Sequence, residues 1–217
     1  MQEYLNAKMR IAENNTEENC FIYNQDDVFI ANNLQDINCK IESFSLKDKK
    51  ADIYLTKDNK IAIQNGKPAE ILDTGKLKIF GRHNIQNVMA AILVVRSALE
   101  QAGIKISETE IAQTATTFEG LAHRMERIGS FKERLFINDS KATTVGAVDM
   151  AINSLEAGIV IILGGRTKGD DYTRLKEIMK DKVKSIVLIG ESKDSFEEIF
   201  KDFSYVPAGS MEEAVFK

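Results

Sequence analysis

The chain has 217 residues, 43% hydrophobic and 29% charged, which is material for one good core or two small ones. Its net charge of -4, from 29 basic against 33 acidic residues with Lys and Glu interspersed, leaves no basic field for nucleic acid. The longest apolar run, residues 88–95, is far below the ~20 residues that cross a bilayer, and MQEYLNAKMR has no apolar signal core. A soluble, cytoplasmic protein with neither nucleic-acid nor membrane partners is expected. Cys20 and Cys39 lack metal or redox spacing and fall in apolar, strand-like contexts, so reduced buried thiols are expected rather than a disulfide.

The first segment, EYLNAKMRIAEN, has helical composition but no N-cap. At the far end Ser210 and Glu213 have capping-box spacing, yet only MEEAVFK follows. Both ends read as cuts in a longer protein. Residues 19–24 form a short strand ending in the turn Gln25-Asp26-Asp27, whose two carboxylates read as a turn rather than a metal site, because neighbours on a strand point to opposite faces. Residues 40–46 alternate polar and apolar, and 53–55 and 61–63 flank Lys57-Asp58-Asn59-Lys60 as a hairpin, with further turns at Gly66 and Gly75. An antiparallel region is expected here.

From Asn84 the period becomes helical: Val88, Ala91, Ile92, Val95 and Leu99 share a face, and Gly103 ends the run. A second helix opens with the box Ser107 and Glu110 and is expected to bury Ile111, Ala115 and Phe118. Gly120 breaks the pattern, which divides the chain into 1–120 and 121–217, with Gly120 a candidate hinge. Beyond it strands at 134–138, 159–163, 185–189 and 205–206 alternate with helices at 145–157, 172–181 and 193–202. That alternation, with all-apolar strands such as IVIIL, predicts a parallel sheet covered on both faces. The fold class is α/β, ending in a doubly wound, Rossmann-like domain. No GxGxxG follows its first strand, so dinucleotide binding is not indicated.

Four polar clusters stand out. INDSKATT (137–144) follows an apolar strand and leads into a helix, and such loops form the ligand crevice of open parallel sheets. Asp139 can accept from a ribose hydroxyl or orient a guanidinium, Lys141 can neutralise a phosphate or carboxylate, and Ser140, Thr143 and Thr144 add hydroxyls. Equally, Asp139 or Ser140 can simply cap the helix. In GRHNIQN (81–87), Asn84 and Asn87 are three apart on one helix face, where two amides can read an adenine or ribose edge, or Asn84 can merely cap. His123-Arg124 alone is a surface pair. GGRTKG (164–169) follows IVIIL, so its glycines turn the chain and Lys168 is either a crevice cation or a solvated charge.

In this fixed order GRHNIQN, FEGLAHRMERIG, INDSKATT and GGRTKG resemble the Mur ligase family, and YLNAK at Tyr4 to Lys8 resembles its YxxAK. The resemblance covers the whole chain but about half of such an enzyme. It implies a partial central domain of helices plus antiparallel strands without the GxxxxGK[ST] phosphate loop, then a Rossmann-like C-terminal domain lacking its final elements. The implied activity is that of an ATP-dependent, ADP-forming carboxylate-amine ligase. Its substrates would be UDP-N-acetylmuramoyl-L-alanine and D-glutamate, joined through an acyl-phosphate in peptidoglycan synthesis.

Carried over residue by residue, the resemblance makes Asn84, Asn87, His123, Arg124 and Asp139 ATP contacts, and Lys141, Thr143 and Lys168 D-glutamate contacts. Lys141 and Lys8 are the implied catalytic lysines, Lys8 as a carbamate that helps hold Mg²⁺ beside Tyr4. The chain departs from the family wording at Arg166, where GGD is usual, and at Thr144. Lacking the phosphate loop, the isolated chain is expected to make no ADP, and its uncovered apolar surfaces are expected to promote self-association. Two rivals remain: a folylpolyglutamate synthetase, which also adds glutamate, and a non-catalytic binding module. The wording HRxE and NDSKAT favours the Mur reading.

Overall fold

The computed structural model describes residues 2–166 and 169–217. They fold as two compact units, Met1–Glu119 and Gly120–Lys217.

The first unit opens with helix α1 (Gln2–Met9), of which only Leu5 is buried, and a 3-10 turn, Arg10–Ala12. Strand β1 (Cys20–Asn24) follows, then the single-turn helix α2 (Val28–Ala31), β2 (Lys40–Ser45), β3 (Ile53–Leu55), β4 (Lys60–Asn65) and β5 (Lys67–Asp73). These strands make one sheet in chain order. The expected hairpin is there: β3 pairs antiparallel with β4, and Asn59 turns the chain at φ 55°. The wholly antiparallel expectation fails for β1, β2 and β3, which are parallel. Residues 25–39 explain the first of these pairings, because they form a crossover long enough to return the chain in the same direction, whereas a hairpin needs a tight turn. β5, not read from the sequence, is an edge strand, the position where its Pro68 is tolerated.

Helix α3 (Arg82–Gln101) and helix α4 (Glu108–Thr117) cover one face of this sheet. Val88, Met89, Ile92 and Leu93 pack with Ile53, Ile61 and Leu72 of the sheet and Ile111 and Ala112 of α4. The buried stripe is rotated from the expected one, for Ala91 is exposed and Val95 is 41% exposed. The cause is Arg96, which lies in the middle of the stripe and hid it from an apolar count. Arg96 Nη2 donates to Glu42 Oε1 of β2 at 2.6 Å, with the two side chains only 14% and 5% exposed. Among the described residues Glu42 Oε2 and Arg96 Nε are buried without hydrogen-bond partners. At the end of α3 Gly103 adopts φ 68°, and the Ile104 N–H bonds the Leu99 carbonyl, the Schellman pattern expected of that glycine. The α4 box forms in full, Ser107 Oγ accepting from Glu110 N–H and Glu110 Oε2 from Ser107 N–H. Phe118 is the C-cap in extended conformation and is 48% exposed, contrary to expectation.

In the second unit β6 (Glu126–Phe131) and β7 (Arg134–Asn138) form an antiparallel pair, followed by α5 (Val145–Asn153), β8 (Ile159–Gly164), a 3-10 turn (Tyr172–Leu175) and α6 (Lys176–Lys182). Then come β9 (Val183–Ile189), α7 (Lys193–Ile199), β10 (Tyr205–Pro207) and α8 (Met211–Phe216). β8, β9 and β10 are parallel in the order β10-β9-β8. Successive β9 residues point to opposite faces: Ile186 and Leu188 join the cluster of Ile152, Leu175, Met179, Phe196 and Phe200, while Val187 packs with Ala208 and Ala214. The doubly wound expectation holds for this sheet.

It does not extend to β7, which was expected to open the parallel sheet. Among the described residues β7 pairs with β6, a strand the sequence reading passed over. The turn between them, Lys132-Glu133, has φ 48° and 62°, the left-handed pair of a two-residue type I′ turn, but without its usual Asn or Gly. Helix α5 also ends sooner than expected. There Lys182 Nζ donates to the carbonyls of Ile152, Asn153 and Leu155 at 3.2, 3.1 and 2.7 Å, capping the helix end with a cation.

Both cysteines are free and half-buried rather than buried, and burial pushes the Cys20 thiol above its ordinary value. Among the described residues no helix is long and apolar enough to cross a membrane.

Candidate functional site

The INDSK loop at the end of β7 is tied to the HRME segment at the start of β6. Met125 N–H donates to Asp139 Oδ1 at 3.0 Å, and Lys141 N–H to the His123 carbonyl at 3.1 Å. Asn138 Nδ2 lies 2.9 Å from His123 Nδ1 and 3.3 Å from Glu126 Oε2, which also accepts from His123 N–H at 2.8 Å. His123, Arg124, Asp139 and Lys141 are thereby gathered within one unit. Asp139 Oδ2 and the exposed Arg124 and Lys141 side chains carry no hydrogen bond or ion pair among the described residues, so they are available to a ligand.

Neither Asp139 nor Ser140 caps α5. That role falls to Thr144, whose Oγ1 accepts from Ala147 N–H at 3.3 Å, while Ser140 N–H is bonded by Asn138 Oδ1. Thr143 is exposed beside the cap. An open depression of about 350 Å³ lies at this helix start, lined by Thr144, Gly146, Asp149, Asp170, Asp171 and Arg174. The Thr173 hydroxyl and amide hold the Asp171 carboxyl below its ordinary range.

β8 ends in Gly164-Gly165 at the carboxyl edge of the parallel sheet. A Cβ on Gly164 would run into the side chain of Ile189 and come within 2.6 Å of its carbonyl oxygen, so only glycine lets the two strand ends approach. Arg166 makes a bidentate pair with Glu191, Nε to Oε2 at 2.9 Å and Nη2 to Oε1 at 3.2 Å, tying the loops after β8 and β9 together. Lys168 lies outside the described residues. The expectation that INDSKATT lines the crevice of the parallel sheet rested on β7 belonging to that sheet, and β7 pairs with β6 instead.

In the first unit Asn84 does not cap α3. The N-cap is Gly81 at φ 89°, and Asn84 Nδ2 reaches back to the Phe80 carbonyl at 2.6 Å. Asn87 Nδ2 donates to Asn84 Oδ1 at 3.2 Å, so the two amides share a face as the spacing required, and the exposed Asn87 keeps its own oxygen free among the described residues. On α1 the Lys8 ammonium stands 5.3 Å from the Tyr4 ring centroid, with Tyr4 itself exposed. As an ammonium it is a cation and no metal ligand. Asp26 is engaged by Ser45 Oγ and Leu46 N–H, and Asp27 caps α2, so both serve the turn. Among the described residues no three His, Cys, Asp or Glu side chains come together as a metal site, so these donors do not fit Mg²⁺ by themselves.

Residues 1–95 match the family model of the Mur ligase middle domain, and residues 123–217 that of the Mur ligase, glutamate ligase domain. The chain belongs to the Mur ligase family. Among curated relatives, a UDP-N-acetylmuramoylalanine--D-glutamate ligase of Desulfitobacterium hafniense (strain Y51) is 35% identical over 219 residues, covering 99% of this chain and 47% of the relative. One of the same name from Bacteroides fragilis (strain YCH46) is 33% identical over 202 residues, covering 92% and 44%. The chain thus spans about half the length of the curated relatives it matches. Its fold is similar to that of MurF from Acinetobacter baumannii, with a TM-score of 0.68 at 20% identity over 97% of this chain and 47% of that one. A folylpolyglutamate synthase from Thermotoga maritima follows at 0.60 and 14%, over 87% and 46%.

Glu126 and Asn138 lie inside the motifs HRxE and NDSKAT, yet the sequence assigns neither a role. A polar residue closing an apolar strand, and a carboxylate three residues after His123, were the available signals.

Proposed function

We propose that this Mur ligase chain is part of a cytoplasmic, ATP-dependent enzyme that joins D-glutamate to UDP-N-acetylmuramoyl-L-alanine. The observation that carries the reading is the fastening of His123-Arg124-Met125 onto Asp139 and Lys141, which gathers a guanidinium, a carboxylate and an ammonium on one edge of the second unit. The names of the relatives at 33–35% identity support the choice of substrates. The likeness to the folylpolyglutamate synthase supports only a common fold.

In this reading Asn84 and Asn87 contact the nucleotide, Asp139 Oδ2 accepts from a ribose hydroxyl, and Arg124 meets its phosphates with His123 beside it. Lys141, Thr143 and Lys168 hold the two carboxylates of D-glutamate. The substrate carboxylate takes the γ-phosphoryl group of ATP and releases ADP; the D-glutamate amine then displaces phosphate from the acyl-phosphate, leaving an amide. Lys8 as a carbamate would bind Mg²⁺ in the complete enzyme, where other donors would have to join it.

The test is product analysis on the full-length protein with ATP, UDP-N-acetylmuramoyl-L-alanine and D-glutamate. ADP release and a product heavier by one glutamyl residue are expected, with no ADP above background from residues 1–217 alone. Turnover only with another amino acid, or with a folate acceptor, would overturn the substrate assignment.

A further inference from the structure

The segment His123-Arg124-Met125 is held in a conformation that its residues do not favour. His123 and Met125 both have positive φ, 66° and 45°, in the left-handed region that non-glycine residues seldom adopt, and Met125 is buried. Such a turn persists only where its surroundings over-determine it. Besides the bonds from Met125 N–H to Asp139 and from Lys141 N–H to the His123 carbonyl, two side chains hold it. Glu126 Oε2 accepts from His123 N–H and from Asn138 Nδ2, and Asn138 Nδ2 also faces His123 Nδ1.

The orientation of the Asn138 amide is set independently, since its Oδ1 accepts from Ser140 N–H at 3.1 Å. Its Nδ2 is therefore the group turned toward the imidazole, and as a donor it requires a bare, accepting Nδ1 on His123. Neutral His123 must then carry its proton on Nε2, where the exposed side of the ring can donate it to a ligand.

We propose that Glu126 and Asn138 are positioning residues: together they latch the left-handed turn, select the Nε2–H tautomer of His123, and so hold His123 and Arg124 against Asp139. The latch stands on its own geometry. Its consequence for ATP rests on the ligase reading, and the two are tested separately.

Long-range ¹H–¹⁵N correlation on the 217-residue chain reads the tautomer directly. The chain has only two histidines, His83 and His123, and a His83→Gln variant identifies the second. In the unsubstituted chain His123 Nδ1 is expected to be bare and Nε2 protonated. Asn138→Asp replaces the donor with an acceptor beside Glu126 and is expected to put a proton on Nδ1. A protonated Nδ1 in the unsubstituted chain at alkaline pH, or a bare one in a folded Asn138→Asp chain, overturns the latch. Should that variant fail to fold, the tautomer of the unsubstituted chain still decides.

In the full-length protein Glu126→Ala is expected to raise the KM for ATP about tenfold, the effect of losing a hydrogen bond to a charged acceptor, with the KM for D-glutamate within about twofold. Glu126→Gln keeps a carbonyl able to accept both N–H groups and is expected to restore the ATP value. Equal damage from Ala and Gln, or parallel rises in both KM values, would leave Glu126 a purely structural residue. If the unsubstituted enzyme makes no ADP, the ligase reading falls while the tautomer still judges the latch.

Discussion

The two units keep their polar chemistry in different places. The first hides it, with Arg96 at the centre of the buried stripe of α3 and Glu42 beneath it on β2. The second keeps its core apolar, from Ile186 and Leu188 to Phe200, and places its hydrogen-bond network on the surface where β6 and β7 begin and end. A buried ion pair is costly to break and adds little when intact, whereas a surface network can hold side chains ready for a ligand at small cost to the fold. Stability in the first unit and ligand readiness in the second should therefore respond to different substitutions.

The largest effect is expected from Arg96→Leu, which leaves the buried Glu42 carboxylate with only the half-exposed Lys40 ammonium, 3.0 Å from Oε1. It should destabilise the first unit by about 3 kcal/mol, the low end for a broken buried pair, and leave the second unchanged, read as unit-resolved amide hydrogen exchange. The double variant Glu42→Leu/Arg96→Leu should recover much of that loss; equal damage from single and double variants would show that the pair is no unit. Next is Lys182→Met, which keeps the aliphatic stem but withdraws three hydrogen bonds from the end of α5. A loss of about 1–3 kcal/mol confined to the second unit is expected in the same measurement. Thr144→Ala should cost about 1 kcal/mol through the lost N-cap, and exchange protection at the Ala147 amide reports it.

The smallest effect is one of pH. The Ser107 hydroxyl, then its backbone N–H, hold the Glu110 carboxyl below its ordinary value of 4.5. A group with a depressed folded pKa contributes stability above its unfolded value, and that contribution is lost as pH falls through the folded one. Ser107→Ala should therefore weaken the first unit near neutral pH, and the gap from the unsubstituted chain should narrow as the pH drops below 4.5. A gap constant down to strongly acid pH would exclude the carboxylate as its source.

Local signals carried most of the fold. Gly103, the Ser107 box, the β3–β4 hairpin and the alternation from β8 to β10 are all near-neighbour patterns, and all appear where the spacing put them. Among the readings that failed, three show what local patterns leave out. The α3 stripe was misjudged because an arginine at its centre becomes tolerable only with Glu42 more than fifty residues away. β7 was given to the parallel sheet because its apolar run matches such strands and Lys132-Glu133 carries no glycine to announce a hairpin. Phe118 was placed in the core by helical periodicity, although the chain leaves the helix at that residue.

The same division runs through the candidate site. The residue types at Asn84 and Asn87, His123 and Arg124, and Asp139 and Lys141 were legible as donors, acceptors and charges, and helical spacing alone placed the two asparagines on one face. That Asp139 and Lys141 are tied directly to Met125 and His123, with Glu126 and Asn138 holding His123 beside them, was decided only when β6 and β7 paired. A hydrogen bond between residues fifteen apart depends on how two strands return to each other, and no local rule of spacing contains that geometry.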